Sequence, residues 1–219
     1  MVPKDNSLNF DLYPVTCEKL SNGRTNLEVL DELIAGGAKV VQLREKDLSD
    51  RDFFELATEF RRRTFQAGMT LIINDRVDIC RAVEADGVHL GQDDFPLKTA
   101  RRMLGPQTII GVSTHSIEEA VQAEKEGADY INVGPIFATQ TKEHTGTPVG
   151  IELFRKVNDL VNIPITVMGG IKLENLQQVL DAGVKRVAVV TGIISSDDIA
   201  IAVREFRRRI TEVTVGEDL

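Results

Sequence analysis

Arginine, lysine, aspartate, serine and threonine recur in this chain directly after short apolar runs, a combination suited to holding phosphate and a divalent metal. Arg44 and Lys46 follow Val40-Val41-Gln42-Leu43, Asn74 and Asp75 follow Leu71-Ile72-Ile73, and Gln92 to Asp94 follow Val88-His89-Leu90-Gly91. Ser113 follows Ile109-Ile110-Gly111-Val112, and Thr139, Thr141 and Lys142 follow Tyr130 to Pro135. Magnesium takes one or two carboxylates and completes its shell with water and phosphate oxygen. Asp75 and Asp94 are the candidate ligands. Arg44 and Lys46 would meet the remaining phosphate oxygens, Arg as a planar fork and Lys as a point charge. The plainer reading is that Asp75 caps the next helix and Arg44 pairs with Glu45. Capping, however, does not require two acids and two bases on neighbouring strand ends.

A second anion site is expected where Gly169-Gly170-Ile171 and Val190-Thr191-Gly192 follow the last two apolar runs. Glycine lets backbone amides approach a phosphate closely, although the same glycines could simply make tight turns. Between the two sites lies a long polar segment, Phe137 to Gly150, which carries Thr139, Thr141 and Lys142. Its length exceeds an ordinary strand-to-helix connection, so it reads as a lid.

These groups share a face only if the apolar runs are parallel strands. The runs near residues 12–16, 40–44, 70–74, 87–91, 109–113, 130–134, 164–169 and 186–191 are short and continuously apolar, as parallel strands covered on both faces are. Between them, Asn26 to Ile34, Asp50 to Gln66, Ile117 to Glu126 and Asp197 to Arg209 place apolar residues at helical spacing. Ala35-Gly36, Ala67-Gly68, Asp86-Gly87, Glu126-Gly127 and Ala182-Gly183 punctuate the series, each glycine expected in the left-handed conformation past a helix end. Eight alternations predict a single-domain α/β protein, a (β/α)₈ TIM barrel over residues 1–219, with ragged ends at about 1–10 and 212–219. An open doubly wound sheet would carry a Gly-x-Gly-x-x-Gly turn after an early strand, and none is present.

The bulk numbers exclude several classes of partner. A chain of 219 residues with 42% hydrophobic content has ample material for a core, and its formal charge of -8 would repel nucleic acid and anionic membrane. No apolar run approaches a membrane span and the first ten residues are too polar for a signal peptide, so a cytoplasmic location is expected. Mixed charge on the outer helices suits solvent or a second copy of the chain, and a homo-oligomer stays open. Cys17 and Cys80 lack metal-ligand spacing and read as packing residues. There is no Ser-His-Asp arrangement, HExxH or Gly-x-Ser-x-Gly elbow. His89 is expected to be hydrogen-bonded within its strand, His115 to face the ligands and His144 to be exposed. Arg61 to Arg63 and Arg207 to Arg209 read as solvated helix faces.

Taken together, Gln42-Leu43-Arg44-Glu45-Lys46, Asn74-Asp75-Arg76, Gly87 to Asp94, Gly111 to His115, Gly134 to Phe137, Thr139-Gln140-Thr141-Lys142 and Gly169-Gly170-Ile171 resemble the thiamine-phosphate synthase family, in that order and through almost the whole barrel. That family joins an aminopyrimidine-methyl pyrophosphate to a thiazole phosphate, releasing pyrophosphate. The resemblance implies that Gln42, Arg44, Lys46, Asn74 and Ser113 bind the pyrimidine pyrophosphate and that Asp75 and Asp94 bind Mg2+. It gives Thr139, Thr141, Gly170, Val190 and Thr191 to the thiazole phosphate. Lys142 would reach the pyrophosphate from the lid, and Arg44, Lys46, Ser113 and Lys142 would be the catalytic group. Two rivals share the fold. One is the thiazole tautomerase branch, which carries histidine after the glycine ending strand six, where this chain has Pro135. The other is a non-catalytic barrel that binds a thiamine precursor.

Overall fold

The computed structural model describes residue 8, residues 10–139 and residues 147–216. Eight strands, β1 (Leu12–Pro14), β2 (Val40–Leu43), β3 (Thr70–Asn74), β4 (Gly87–Leu90), β5 (Ile109–Thr114), β6 (Tyr130–Val133), β7 (Ile165–Val167) and β8 (Val187–Val189), form one sheet in the order β1-β8-β7-β6-β5-β4-β3-β2. Every pairing is parallel. The two ends of that order also meet. Val15 bridges Gln42 in parallel, and the Thr16 N–H donates to the Gln42 carbonyl at 2.9 Å, closing the sheet into a barrel. Outside it run α1 (Asn26–Ala35), α2 (Asp50–Ala67), α3 (Val77–Ala82), α4 (Leu97–Leu104), α5 (Ile117–Glu126), α6 (Gly150–Asn158), α7 (Leu176–Leu180), α8 (Thr191–Ile194) and α9 (Ile199–Gly216).

Side-chain alternation gives this barrel two cores. On β2 and β3, Val41, Leu43, Leu71 and Ile73 point outward and pack with the helices. Val40 and Ile72 point inward and join Phe10, Tyr13, Tyr130 and Ala188 in a separate cluster filling the barrel's lower interior. The same alternation sets the mouth. Inward parity passes from Val40 to Gln42 and Arg44, from Ile72 to Asn74, from Gly111 to Ser113, and from Tyr130 to Asn132.

Local chemistry explains the helix ends. Thr25 and Glu28 form a reciprocal capping box at α1, and Ser49 and Ser116 cap α2 and α5 by accepting from Asp52 and Glu119 N–H groups. Gly68, Gly127 and Gly183 take the expected left-handed conformation. Two expectations fail. After α1 the left-handed residue is Gly37 (φ 80°), because Gly36 continues the helical turn at φ -74°. After α3 it is Glu84 (φ 52°), because Gly87 already lies in β4, where a Cβ would come within 2.5 Å of the Ile109 carbonyl oxygen. The C-terminal end is also less ragged than expected, since α9 continues to Gly216.

The arginine clusters do more than face solvent. Arg61 pairs with Asp86 across to the strand layer, Arg63 with Asp31 of α1, and Arg207 with Asp11 at the bottom of the barrel. Cys17 and Cys80 are free thiols, and burial pushes Cys80 up to about 12, in keeping with a packing role. No helix among the described residues is long and apolar enough to cross a membrane.

Candidate active site

The C-terminal ends of β2 to β5 bring Gln42, Arg44, Lys46, Asn74, Asp75 and Asp94 around one small cavity of about 50 Å³. Arg44 is anchored through its backbone, whose N–H donates to Thr16 Oγ1 at 3.1 Å. Its neighbour Glu45 does not define it: the Glu45 carboxylate accepts from the Glu18 N–H at 2.7 Å. Asp75 is held in the left-handed region at φ 61°, with its N–H on the His89 carbonyl at 2.8 Å. A β-branched residue would be strained there, and Asp and Asn are among the side chains that tolerate it best. Asp75 does not cap α3, which has no side-chain cap; its carboxylate pairs instead with the Lys46 ammonium.

Asp94 is turned toward Asp75 by its own loop. Its Oδ2 accepts the Gly91 N–H at 2.8 Å, and a Cβ on Gly91 would lie 2.6 Å from that oxygen, so the loop closes because residue 91 has no side chain. The Asp75 carboxyl is held above the usual carboxylate range, first by burial and then by the adjoining Asp94 carboxyl, with Lys46 opposing both. Two hard oxygen donors thus adjoin one another in a cavity that Arg44 and Lys46 also line. Among the described residues no group of three or more His, Cys, Asp or Glu could form an all-protein cage.

The ends of β6 to β8 enclose a larger cavity of about 380 Å³, lined by Thr139, Gly170, Val190 and Thr191. Gly169 (φ 109°) and Gly170 (φ 63°) adopt backbone that other residues avoid. They also run against the sixth loop: Cβ atoms there would fall 2.5 Å from Pro135 Cβ and 2.5 Å from the Ala138 carbonyl. Ile136 and Phe137 N–H groups donate to Met168 and Gly169 carbonyls at 2.9 and 3.0 Å, zipping the two loops together. Asn175 shapes the far side, donating Nδ2 to the Gly170 carbonyl at 2.9 Å and accepting the Lys172 N–H at 2.8 Å. Thr141, Lys142 and His144 lie outside the described residues.

The two cavities share Gly91, Asp94, Ser113 and Met168, so they are lobes of one mouth. His89 is buried in its strand and hydrogen-bonded, as expected, through both ring nitrogens: Nδ1 with Tyr130 Oη and Nε2 with Ser113 Oγ, each at 2.9 Å. His115 lines the larger lobe with Nδ1 3.0 Å from Glu119 Oε2. Sequence reasoning passed over Tyr13, Tyr130, Asn132, Met168 and Asn175. For the first three the available signal was inward parity on their strands. Asn175 gave none, because its role depends on how the β7 loop returns.

A family model described as thiamine monophosphate synthase matches residues 12–193. The thiamine-phosphate synthase of Chloroflexus aurantiacus is 46% identical over 204 residues, covering 93% of this chain and 94% of its own. That of Moorella thermoacetica is 47% identical over 202 residues, covering 92% and 96%. Among solved structures, the thiamine phosphate pyrophosphorylase from Pyrococcus furiosus superposes with a TM-score of 0.85 at 36% identity, over 93% of this chain and 96% of that one. Barrel, two-lobed mouth and sequence agree: the chain belongs to the thiamine-phosphate synthase family.

Proposed function

We propose that the two lobes hold the two substrates of the family's transfer, the aminopyrimidine-methyl pyrophosphate in the smaller and the thiazole phosphate in the larger. The observation that carries this reading is the shared wall. Each lobe has its own anion-binding chemistry, yet Asp94 and Ser113 face both, so two bound ligands would meet there. On the small side Gln42, Asn74 and Ser113 would hold the pyrimidine, and Arg44 and Lys46 its pyrophosphate. On the large side Thr139, Gly170, Val190 and Thr191 would hold the thiazole phosphate, partly through backbone N–H groups, since the first amides of a helix such as α8 lack intrahelical acceptors.

Asp75 and Asp94 fit magnesium, because a pair of adjoining carboxylates is the donor set that ion takes when substrate phosphate completes the shell. When bound, the ion would neutralise charge developing on the departing pyrophosphate. Arg44 and Lys46 would share that task, Lys46 only by loosening its ion pair with Asp75. As the carbon–oxygen bond to pyrophosphate breaks, both electrons leave with the phosphate, and the methylene cation is stabilised by its own aminopyrimidine. The thiazole nitrogen lone pair then forms the new carbon–nitrogen bond. That nitrogen carries no proton, so the site needs no general base. Pro135, which has no ionisable group, occupies the place where the tautomerase branch carries histidine.

Incubating purified protein with both substrates, with and without magnesium, and following thiamine phosphate by its oxidised fluorescence tests the reading. Magnesium-dependent product is expected. Product formed at full rate in chelator removes the metal assignment, and no product from competent substrates removes the transfer itself.

A further inference from the structure

Beneath the mouth, five inward-facing side chains from five strands form one unbroken hydrogen-bond chain. Gln42 Nε2 lies 2.8 Å from Tyr13 Oη, Tyr13 Oη 2.9 Å from Tyr130 Oη, Tyr130 Oη 2.9 Å from His89 Nδ1, and His89 Nε2 2.9 Å from Ser113 Oγ. Both tyrosines are sealed in the lower core, 1% and 0% exposed, so neither can touch a substrate. Their rings meet edge to face, with centroids 6.0 Å apart and planes at 74°. Tyr130 reaches its place across β5 only because residue 111 is glycine: a Cβ there would lie 2.0 Å from Tyr130 Cζ.

The chain has a direction, fixed at one end. An amide nitrogen only donates, so Tyr13 Oη accepts from Gln42. Among the described residues Tyr13 Oη has one other partner, Tyr130, and a buried hydroxyl proton needs an acceptor; Tyr13 therefore donates to Tyr130. Tyr130, already accepting, must place its own proton on His89 Nδ1. An imidazole that accepts at Nδ1 carries its hydrogen on Nε2, and that N–H donates to Ser113 Oγ. The Ser113 hydroxyl, its oxygen already accepting, is left with its proton free for the mouth. At the opposite end Gln42 has committed an Nε2 hydrogen to Tyr13, and its Oε1 has no partner among the described residues. Gln42 and Ser113 both line the small lobe.

We propose that Tyr130 and Tyr13 are positioning residues whose one-way hydrogen-bond chain presents Gln42 as an acceptor and Ser113 as a donor to the ring in the small lobe. This rests on the reading that the small lobe holds the pyrimidine. The polarity selects a heteroaromatic ring bearing an amine, which faces Gln42, and an unprotonated ring nitrogen, which faces Ser113. A ring with a keto group in place of the amine would set acceptor against acceptor at Gln42.

The test reads the imidazole directly. The chain has three histidines, so replacing His115 and His144 with Gln leaves the His89 signals alone in a ¹⁵N-histidine spectrum. His89 is expected as the Nε2–H tautomer in the substrate-free protein. Tyr130→Phe should remove the hydrogen-bond shift at Nδ1, mix the tautomers, and raise KM for the pyrimidine pyrophosphate about tenfold, the effect of one lost hydrogen bond, with a smaller change in kcat. Tyr13→Phe should leave His89 in the Nε2–H form, because Tyr130 keeps its proton for Nδ1. An Nδ1–H tautomer in the parent protein overturns the proposal, as does a Tyr130→Phe protein with parental imidazole shifts and KM. If Tyr130→Phe does not fold, the parent tautomer and Tyr13→Phe still decide. Absence of any thiamine phosphate from the parent protein would refute the functional reading while the imidazole spectrum separately judges the chain.

Discussion

Gly170→Ala separates the two reasons for glycine at the larger lobe, and Gly68→Ala supplies its control. Both residues are left-handed, at φ 63° and 65°. An alanine in that conformation costs about 1–2 kcal/mol. At Gly68 nothing lies within 4 Å of the added Cβ, so the backbone term is the whole cost. At Gly170 the Cβ would meet the Ala138 carbonyl at 2.5 Å and Phe137 Cβ at 2.9 Å, neither of them the end of a flexible side chain. Forcing those loops apart adds an overpacking term of about 1–3 kcal/mol. For a protein of this size 1 kcal/mol lowers Tm by about 2–4 °C. Gly68→Ala should therefore melt about 2–8 °C low, and Gly170→Ala a further ~2–12 °C below it. Calorimetry measures the pair, and steady-state kinetics adds the functional half: only Gly170→Ala should raise KM for the thiazole phosphate, with the pyrimidine KM unchanged. Equal melting temperatures would refute the contact argument. A shift confined to the pyrimidine KM would mean the lobes have been assigned the wrong way round.

Asp75→Asn keeps the left-handed residue's shape and removes one carboxylate, so magnesium binding should weaken by more than the 10–100-fold typical of losing an outer-shell partner, measured by titration calorimetry. Because the native Asp75 carboxyl titrates above the usual range, its contribution to stability is complete at pH below the ordinary carboxylate value and is lost as pH rises through the raised one. Metal-free Asp75→Asn should accordingly gain on the parent protein across that window in denaturant titrations, and a parallel pH profile would count against the carboxylate pairing. Arg44→Ala should raise KM for the pyrimidine pyrophosphate about 10–150-fold, the effect of one hydrogen bond to a charged group, without lowering Tm, since the Arg44 backbone keeps its bond to Thr16. Unchanged affinity would return Arg44 to a rim residue.

The barrel was legible because strand, helix and turn signals agree at nearly every junction. Ser49, Ser116, Gly68 and Gly127 each do locally what their residue types favour. That Arg44, Lys46, Asp75 and Asp94 come together was legible for a related reason: they follow strands, and a parallel barrel gathers strand ends. What escaped depends on parity and contact across the barrel. Nothing near Tyr130 in sequence marks it as a partner of His89, 41 positions away, and its polar tip is hidden within an apolar run. Gly87 misled for the opposite reason, since a glycine that looks like a helix stop serves as a gap into which Ile109 packs.

The same distinction says where this sequence departs from local preference and to what end. Asp75 combines a left-handed backbone, partial burial and a second carboxyl at hand, three unfavourable choices at one residue. Neighbouring loops hold it there: its N–H is fixed by the His89 carbonyl, its carboxylate by Lys46, and Asp94 is brought up by a glycine-dependent turn. Strain maintained by that many independent contacts is the signature of a site arranged for a ligand rather than for the fold, because packing alone would be better served by an uncharged residue. His89 joins the two halves of this arrangement, fixing Asp75 through its carbonyl and Ser113 through its ring. The carboxylate end and the Ser113 end of the small lobe are thereby set by one strand, so a displacement of β4 would disturb both together while leaving the loops after β7 and β8 in place.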